Sequence, residues 1–453
     1  MTGRAEVLRR PGMPPGELWV LTGAAAYVVA LALATQYWTY DLWGGLVIGP
    51  ALLVLTLPLL RRVAERDGPR SIHSLLVAAL VVKLAMAVPR WAVAFLLYEG
   101  TADASSYNDS ARLLAPLYRD FVFPFSDQPG GFGTKVVSSI TGGVYAVTGP
   151  SLMVGFLVFS WLGFLGLLFA YRAIRTALPD VKPTRYAGLL FFLPSMAFWP
   201  SSIGKEAVIM LAIGLVLLGA ARNFTRQRLG LPFIAAGLLL AFLIRPHIAG
   251  LLAGSFAIGY ILRPARVRTP LTPIVKAAGV MVIGAAGLFV IAKAASSLGV
   301  SDTSSALQTL NQRGGLTVQG GSAFEATPLR APQDIVPATL AVLFRPFPWE
   351  AESPQVLIAS AEGMGLLALA VLGWRRIVAG LGRLREPFVV MSAVYLLGFI
   401  FLFSEFGNFG ILARQRVQAY PVLLVFLCMA PLAKRKRNRS ISTRPGSTLE
   451  LQP

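Results

Sequence analysis

The stretch FLPSMAFWPSSIGKEAVIMLAIGLVLL, Phe192–Leu218, is apolar almost throughout, yet Lys205 and Glu206 stand side by side near its middle. A charge left at a bilayer centre costs about 2.5–3.5 kcal/mol. One helix running from Tyr186 through Ala220 would exceed about 45 Å, too long for a hydrocarbon core of about 30 Å. Two short antiparallel helices meeting at the Pro/Ser/Gly turn PSSIGKE remove the conflict. The next pair has the same form: Leu231–Ile244 and Ile248–Leu262 meet at IRPHI, which brings Arg245 and His247 to the same side at a similar depth. Short or broken helices with polar tips are tolerated in a membrane where they line a cavity. The charges are therefore expected at turns facing a cleft.

Composition sets the class. Of 453 residues, 55% are hydrophobic and 14% charged, with a mean hydropathy of +0.65. Soluble domains carry about 25% charge. Apolar runs recur from Leu18 to Leu432, the pattern of an all-α polytopic membrane protein. The single cysteine, Cys428, excludes a disulfide framework, and the two histidines, His73 and His247, exclude a His-rich metal site.

The net charge of +20 is distributed in short basic segments between apolar runs, such as RRVAER from Arg61, ARNFTRQR from Ala221, RRIVAGLGRLR from Arg375 and KRKRNR from Lys434. Alternate connections are basic, which is the positive-inside pattern and not a nucleic-acid footprint. The expected spans are Leu18–Trp38, Trp43–Leu60, Ser74–Tyr98, Ser151–Tyr171, Tyr186–Pro200, Glu206–Ala220, Leu231–Ile244, Ile248–Leu262, Pro273–Ala292, Pro354–Trp374, Phe388–Ser404 and Val417–Leu432. About twelve spans put both termini in the cytoplasm of a cell-membrane protein. Residues 1–17 form an N-terminal tail, 18–432 the membrane domain, and 433–453 a basic, disordered tail. The first span is long and lacks a convincing cleavage site, which favours a retained helix over a signal peptide.

The less basic connections, 99–150, 293–353 and 404–416, then share the outer face. They bring Asp103 and Asp109, LFRPFPWE (Leu343–Glu350) and SEFGNFGILARQR (Ser404–Arg416) to the side of the GKE and RPH turns. SSITGGVYAVTG, after the first outer loop, reads as an amphipathic or re-entrant helix. Lys205, Arg245, His247, Arg345, Arg414 and Arg416 supply positive groups; Asp103, Glu206, Glu350 and Glu405 supply carboxylates. Arginine grips phosphate bidentately, and aromatic rings offer stacking faces to a sugar. Such a cleft suits a lipid-linked phosphate substrate.

On these residues the chain resembles the GT-C superfamily of polytopic membrane glycosyltransferases. The resemblance rests on an aspartate in an early outer loop, Asp103, and on GILARQRVQAYP (Gly410–Pro421) leading into the last helix, which is similar to O-antigen polymerases and to mannosyltransferase-like members. It implies a polyprenyl-phosphate-linked sugar donor, a glycan or lipid acceptor, and a role in cell-envelope glycan assembly. Asp103 would be the general base, while Lys205, Glu206, Arg245, His247, Arg345, Glu350, Arg414 and Arg416 would contact substrate. A divalent cation, Mg²⁺ or Mn²⁺, on Asp103 with Asp109 or Glu206 is compatible with the residues but not demanded by them. A glycan polymerase uses the same cleft, and a transporter or flippase of lipid-linked sugars needs the same phosphate grip. A cleft on one side favours the transferase; a path reaching both faces favours the carrier.

Overall fold

In a computed structural model of the chain, residues 15–67, 70–100, 103–263 and 323–431 are described below. The expected span Pro273–Ala292, residues 293–322 of the 293–353 loop and the 433–453 tail lie outside them. Among the described residues the chain is helical, with no strand; one isolated bridge pairs Ala323 with Asn408.

Among the described residues, five helical stretches are long and apolar enough to cross a membrane: Tyr40–Asp67, Ile72–Leu97, Leu152–Ala177, Lys205–Phe224 and Pro354–Leu372. Gly230–Ile244, Pro246–Ile261 and Pro387–Phe403 are apolar but shorter, and Phe409–Gln418 meets Tyr420–Cys428 at a bend of 65°. Among the described residues, the expected spans therefore divide into long helices and several short or broken ones, and the number of about twelve is not reached by long helices. The expected span Tyr186–Pro200 is two pieces, Pro183–Phe192 and Pro194–Phe198, divided at Pro194. Proline disfavours helical geometry in the residue before it and removes a donor; Leu193 accordingly leaves the helix at ψ 128°.

Glycine controls how closely the central helices approach. A Cβ on Gly214 would sit 2.1 Å from the carbonyl oxygen of Gly166, and one on Gly166 would sit 2.4 Å from that of Met210. The Leu152–Ala177 and Lys205–Phe224 helices thus pack backbone to backbone, the contact that small residues permit inside membranes. Gly219 and Gly237 do the same between Lys205–Phe224 and Gly230–Ile244, where added Cβ atoms would meet the carbonyls of Gly230 and Ala212 at 2.7 Å each. This layer fixes the start of the Lys205–Phe224 helix relative to the Arg245 break.

Buried polar groups hold the breaks. Lys83, fully buried in the Ile72–Leu97 stretch, donates through Nζ to the carbonyls of Met196 at 2.7 Å and Ala197 at 3.0 Å. Glu362 accepts from the N–H of Ser195 at 2.6 Å, at the other end of the same short helix. Pro194–Phe198 leaves backbone groups unsatisfied at both ends, and these two side chains satisfy some of them from neighbouring helices.

The segment expected as an outer loop is largely helical. Asp103–Arg119 and Phe132–Thr148 form two packed amphipathic helices, the second covering the expected SSITGGVYAVTG helix. Tyr145 donates to Asn108 Oδ1 at 2.8 Å, Arg119 donates to the carbonyl of Ala146 at 2.8 Å, and Arg112 pairs with Asp41. Asp41 also accepts from the N–H of Leu152 at 2.9 Å, so one carboxylate joins this helical pair to the head of a long span.

Candidate functional site

A polar cavity of about 260 Å³ opens where four separated segments meet, lined by Asp103, Tyr107, Lys205, Glu206, Ile244, Arg245, Pro246, His247 and Arg414. Each segment delivers its groups at a helix end or break. Asp103 opens the Asp103–Arg119 helix, and Lys205 and Glu206 open Lys205–Phe224. Arg245 is the single residue between Gly230–Ile244 and Pro246–Ile261. Arg414 lies near the end of Phe409–Gln415, whose first turn is capped by Asn408 accepting from the N–H of Ile411 at 3.0 Å.

The charges are paired in a definite order. Arg245 Nη2 donates to Glu206 Oε1 at 2.8 Å, and Arg245 Nη1 to Gln415 Oε1 at 2.5 Å. Gln415 Oε1 also accepts from Gln418 Nε2 at 2.6 Å. Arg414 stands between two carboxylates: its Nη1 donates to Asp103 Oδ2 at 3.2 Å, and its Nε lies 3.3 Å from Glu206 Oε1 without hydrogen-bond alignment. Glu206 and Arg245 are buried, whereas the Asp103 side chain is 66% exposed. No described hydrogen bond or ion pair engages the ammonium of Lys205. With His247 neutral, three cations (Lys205, Arg245, Arg414) face two carboxylates (Asp103, Glu206), so the lining carries excess positive charge.

Tyr107 lies one helical turn after Asp103 and shares its face. Burial, and then the nearby Asp103 carboxylate, push its phenol up to about 12, so at neutral pH it is a hydroxyl. Arg90 is close enough to Glu206, Arg414 and Asp103 to feel their charge. Its guanidinium lies 5.2 Å from the ring centroids of both Phe198 and Trp199, and its Nε has no hydrogen-bond partner.

Of the residues expected at the site, Asp103, Lys205, Glu206, Arg245, His247 and Arg414 come together. Arg345 and Glu350 line a different cavity, about 190 Å³, with Ala323, Phe324, Glu352, Val356 and Phe409. Arg345 is committed there to Glu350, donating through Nε to Oε1 at 2.9 Å and Oε2 at 3.2 Å. Arg416 lines neither cavity. It is fully buried and donates to the carbonyls of Arg345 at 2.6 Å and Ala359 at 3.1 Å. Asp109 is not in the lining and accepts from Asn108 at 3.1 Å. Among the described residues no group of three or more His, Cys, Asp or Glu is arranged to hold a metal ion. Within the cavity, the Arg414 guanidinium lies between the two carboxylates, Asp103 and Glu206.

Sequence reasoning passed over Tyr107 and Gln415, and did not place Arg90 among the site residues. Tyr107 is recoverable as the i+4 neighbour of Asp103 once ADASSYNDSARLLAPLYR is read as a helix. Gln415 carries a signal only through its place between two arginines in ARQR. Arg90 lies inside the expected span Ser74–Tyr98, where an arginine snorkels or pairs as readily as it acts.

No family model matches the chain, and no curated protein or solved structure matches it.

Proposed function

We propose that this protein is a membrane glycosyltransferase that takes its sugar from a polyprenyl-phosphate donor in the cavity at Asp103, Lys205, Arg245 and Arg414, on the extracytoplasmic side. One observation carries the reading: an exposed carboxylate lies in the same cavity as an unengaged ammonium and two arginines, at the mouth of short apolar helices. Excess positive charge suits a phosphate, and an adjacent accessible carboxylate suits removal of a hydroxyl proton.

The chemistry balances on these groups. The acceptor hydroxyl gives its proton to the Asp103 carboxylate as its oxygen bonds to the anomeric carbon. The bond from that carbon to the phosphate oxygen breaks, and polyprenyl phosphate leaves with the electron pair. Attack from the face opposite the leaving group inverts the anomeric centre. Lys205 holds the departing phosphate, and Arg245, fixed by Glu206 and Gln415, presents its remaining donors in a set orientation. A preorganised donor aimed at developing charge is worth about 100- to 1000-fold in rate. Arg414 tethers Asp103 until the acceptor arrives. The side of the membrane follows from the basic connections of the sequence, which assign the cavity to the face opposite them.

The test is mass spectrometry of lipids retained by the purified protein, wild type beside Lys205→Ala. Polyprenyl phosphate or its glycosylated form, present in wild type and depleted in the variant, supports the reading. Bulk phospholipid alone in both contradicts it, and equal retention in both removes Lys205 from the phosphate site.

A further inference from the structure

The second cavity has a chemistry unlike the first. Arg345 carries five N–H donors in a planar fork, and Glu350 with the carbonyl of Glu325 takes up three of them, through Nε, Nη2 and, at 3.5 Å, Nη1. Two donors remain. Glu350 has no acceptor role to spare in this arrangement, because Oε2 also accepts from the N–H of Phe347 at 2.7 Å. Glu352 lines the same cavity, is exposed, and has no described partner. The free polar groups are therefore a guanidinium edge and one carboxylate, beside aromatic walls.

Those walls are fixed. Phe324 and Phe409 stack with centroids 4.3 Å apart and planes 10° from parallel, and the Arg345 guanidinium carbon lies 4.4 Å from the Phe324 centroid. Phe324 is held beside Phe409 by its N–H donating to the carbonyl of Gly407 at 2.9 Å.

We propose that this cavity binds a neutral, hydroxyl-bearing ring, a single sugar residue. Glu350 balances the charge of Arg345, so Glu352 leaves the lining one net negative charge, which repels an anion; an ammonium donates but cannot accept from the Arg345 edge, whereas a hydroxyl both donates and accepts and so satisfies both. The volume, about 190 Å³, lies below the about 300 Å³ at the small end of drug-sized pockets, which limits the occupant to about one ring. A geometric link ties this cavity to the first. Phe409 lines one and Arg414 the other, Gln415 holds Arg245, and Arg416 holds the backbone of Arg345. The segment Phe409–Gln418 thus positions both. Binding of the ring stands on this cavity's own lining; its use as the acceptor sugar rests on the transferase reading above.

Saturation-transfer NMR on the full chain in detergent tests the proposal, with methyl glycosides of glucose, galactose and mannose as probes. Glucose 1-phosphate and glucosamine serve as charged comparisons. At least one neutral glycoside is expected to bind, better than either charged sugar. Glu352→Ala removes a charged acceptor and should weaken it about tenfold; Val356→Trp fills the cavity and should abolish it. Lys205→Ala, in the other cavity, should leave it unchanged. Failure of every neutral glycoside to bind the wild type overturns the proposal, as does binding unaltered in both cavity variants or a preference for glucose 1-phosphate. Because polyprenyl phosphate retention is read separately in Lys205→Ala, either reading can fail while the other stands.

Discussion

Glu206 accepts a hydrogen bond from Arg245 at 2.8 Å across 39 positions of sequence, with both side chains buried. The pair answers the puzzle posed by two charges inside an apolar stretch. Lys205 and Glu206 do not cross a membrane within a helix; they open one, and Glu206 is neutralised by the arginine at the next helix break. Desolvated charges persist when paired and hydrogen-bonded, and removal of one partner strands the other.

Glu206→Ala should therefore destabilise the fold strongly, by about 3–5 kcal/mol, because Arg245 keeps only Gln415. The double variant Glu206→Gln with Arg245→Met should cost less than the sum of the single changes. Thermal unfolding of wild type, Glu206→Gln, Arg245→Met and the double variant in one detergent measures the coupling, and additive losses would contradict a direct pair.

Lys83 has a structural role. Lys83→Met retains most of the stem and removes both hydrogen bonds to the carbonyls of Met196 and Ala197. The expected loss is about 1.5–3 kcal/mol, accompanied by faster hydrogen exchange around residues 194–204. A wild-type melting temperature and exchange pattern would show that another group holds that break.

The close helix contact is testable by one methyl group. Gly214→Ala puts a Cβ 2.1 Å from the Gly166 carbonyl oxygen and should cost about 1–3 kcal/mol or more through forced separation of the helices. Gly143→Ala, where a Cβ meets nothing within 4 Å, is the matched control and should be tolerated. Yield of monodisperse protein after detergent extraction distinguishes them.

Acid should loosen the second cavity first. Burial pushes the Glu350 carboxyl up, but hydrogen bonds from Arg345 and from the N–H of Phe347 outweigh it and hold the group below its ordinary value of 4.5. The folded loop binds fewer protons than the unfolded one in this range, so the contribution is complete above about 4.5 and is lost as pH falls through the lower folded value. Fluorescence of Trp349, which stacks on Phe347 at 5.0 Å, should change below about pH 4.5 in wild type. Glu350→Gln should flatten that transition, and an unaltered transition would place its origin elsewhere.

Long apolar runs were legible because their length and composition alone specify them: Leu152–Ala177 and Pro354–Leu372 lie where Ser151–Tyr171 and Pro354–Trp374 were expected. The turns at GKE and RPH were legible because proline, glycine and charge interrupt apolar sequence there. The helix at Asp103–Arg119 was hidden by its polar residues, which read as a solvated loop until the partner helix Phe132–Thr148 is present to cover its other face. The site was half legible. Residue type alone could not reveal that Arg345 is occupied by Glu350 five positions later, or that Arg416 spends its donors on backbone carbonyls, since both depend on how the chain folds back.

In the proposed reaction, Asp103 takes the acceptor proton as polyprenyl phosphate leaves. Release of polyprenyl phosphate from a radiolabelled polyprenyl-phosphate hexose, by reconstituted wild type and Asp103→Asn protein with methyl glycosides as acceptors, tests it most directly. Release by wild type and a loss of about 100- to 10,000-fold in the variant are expected, with melting temperature unchanged because Asp103 is exposed. No release by wild type, or equal release by both proteins, contradicts it.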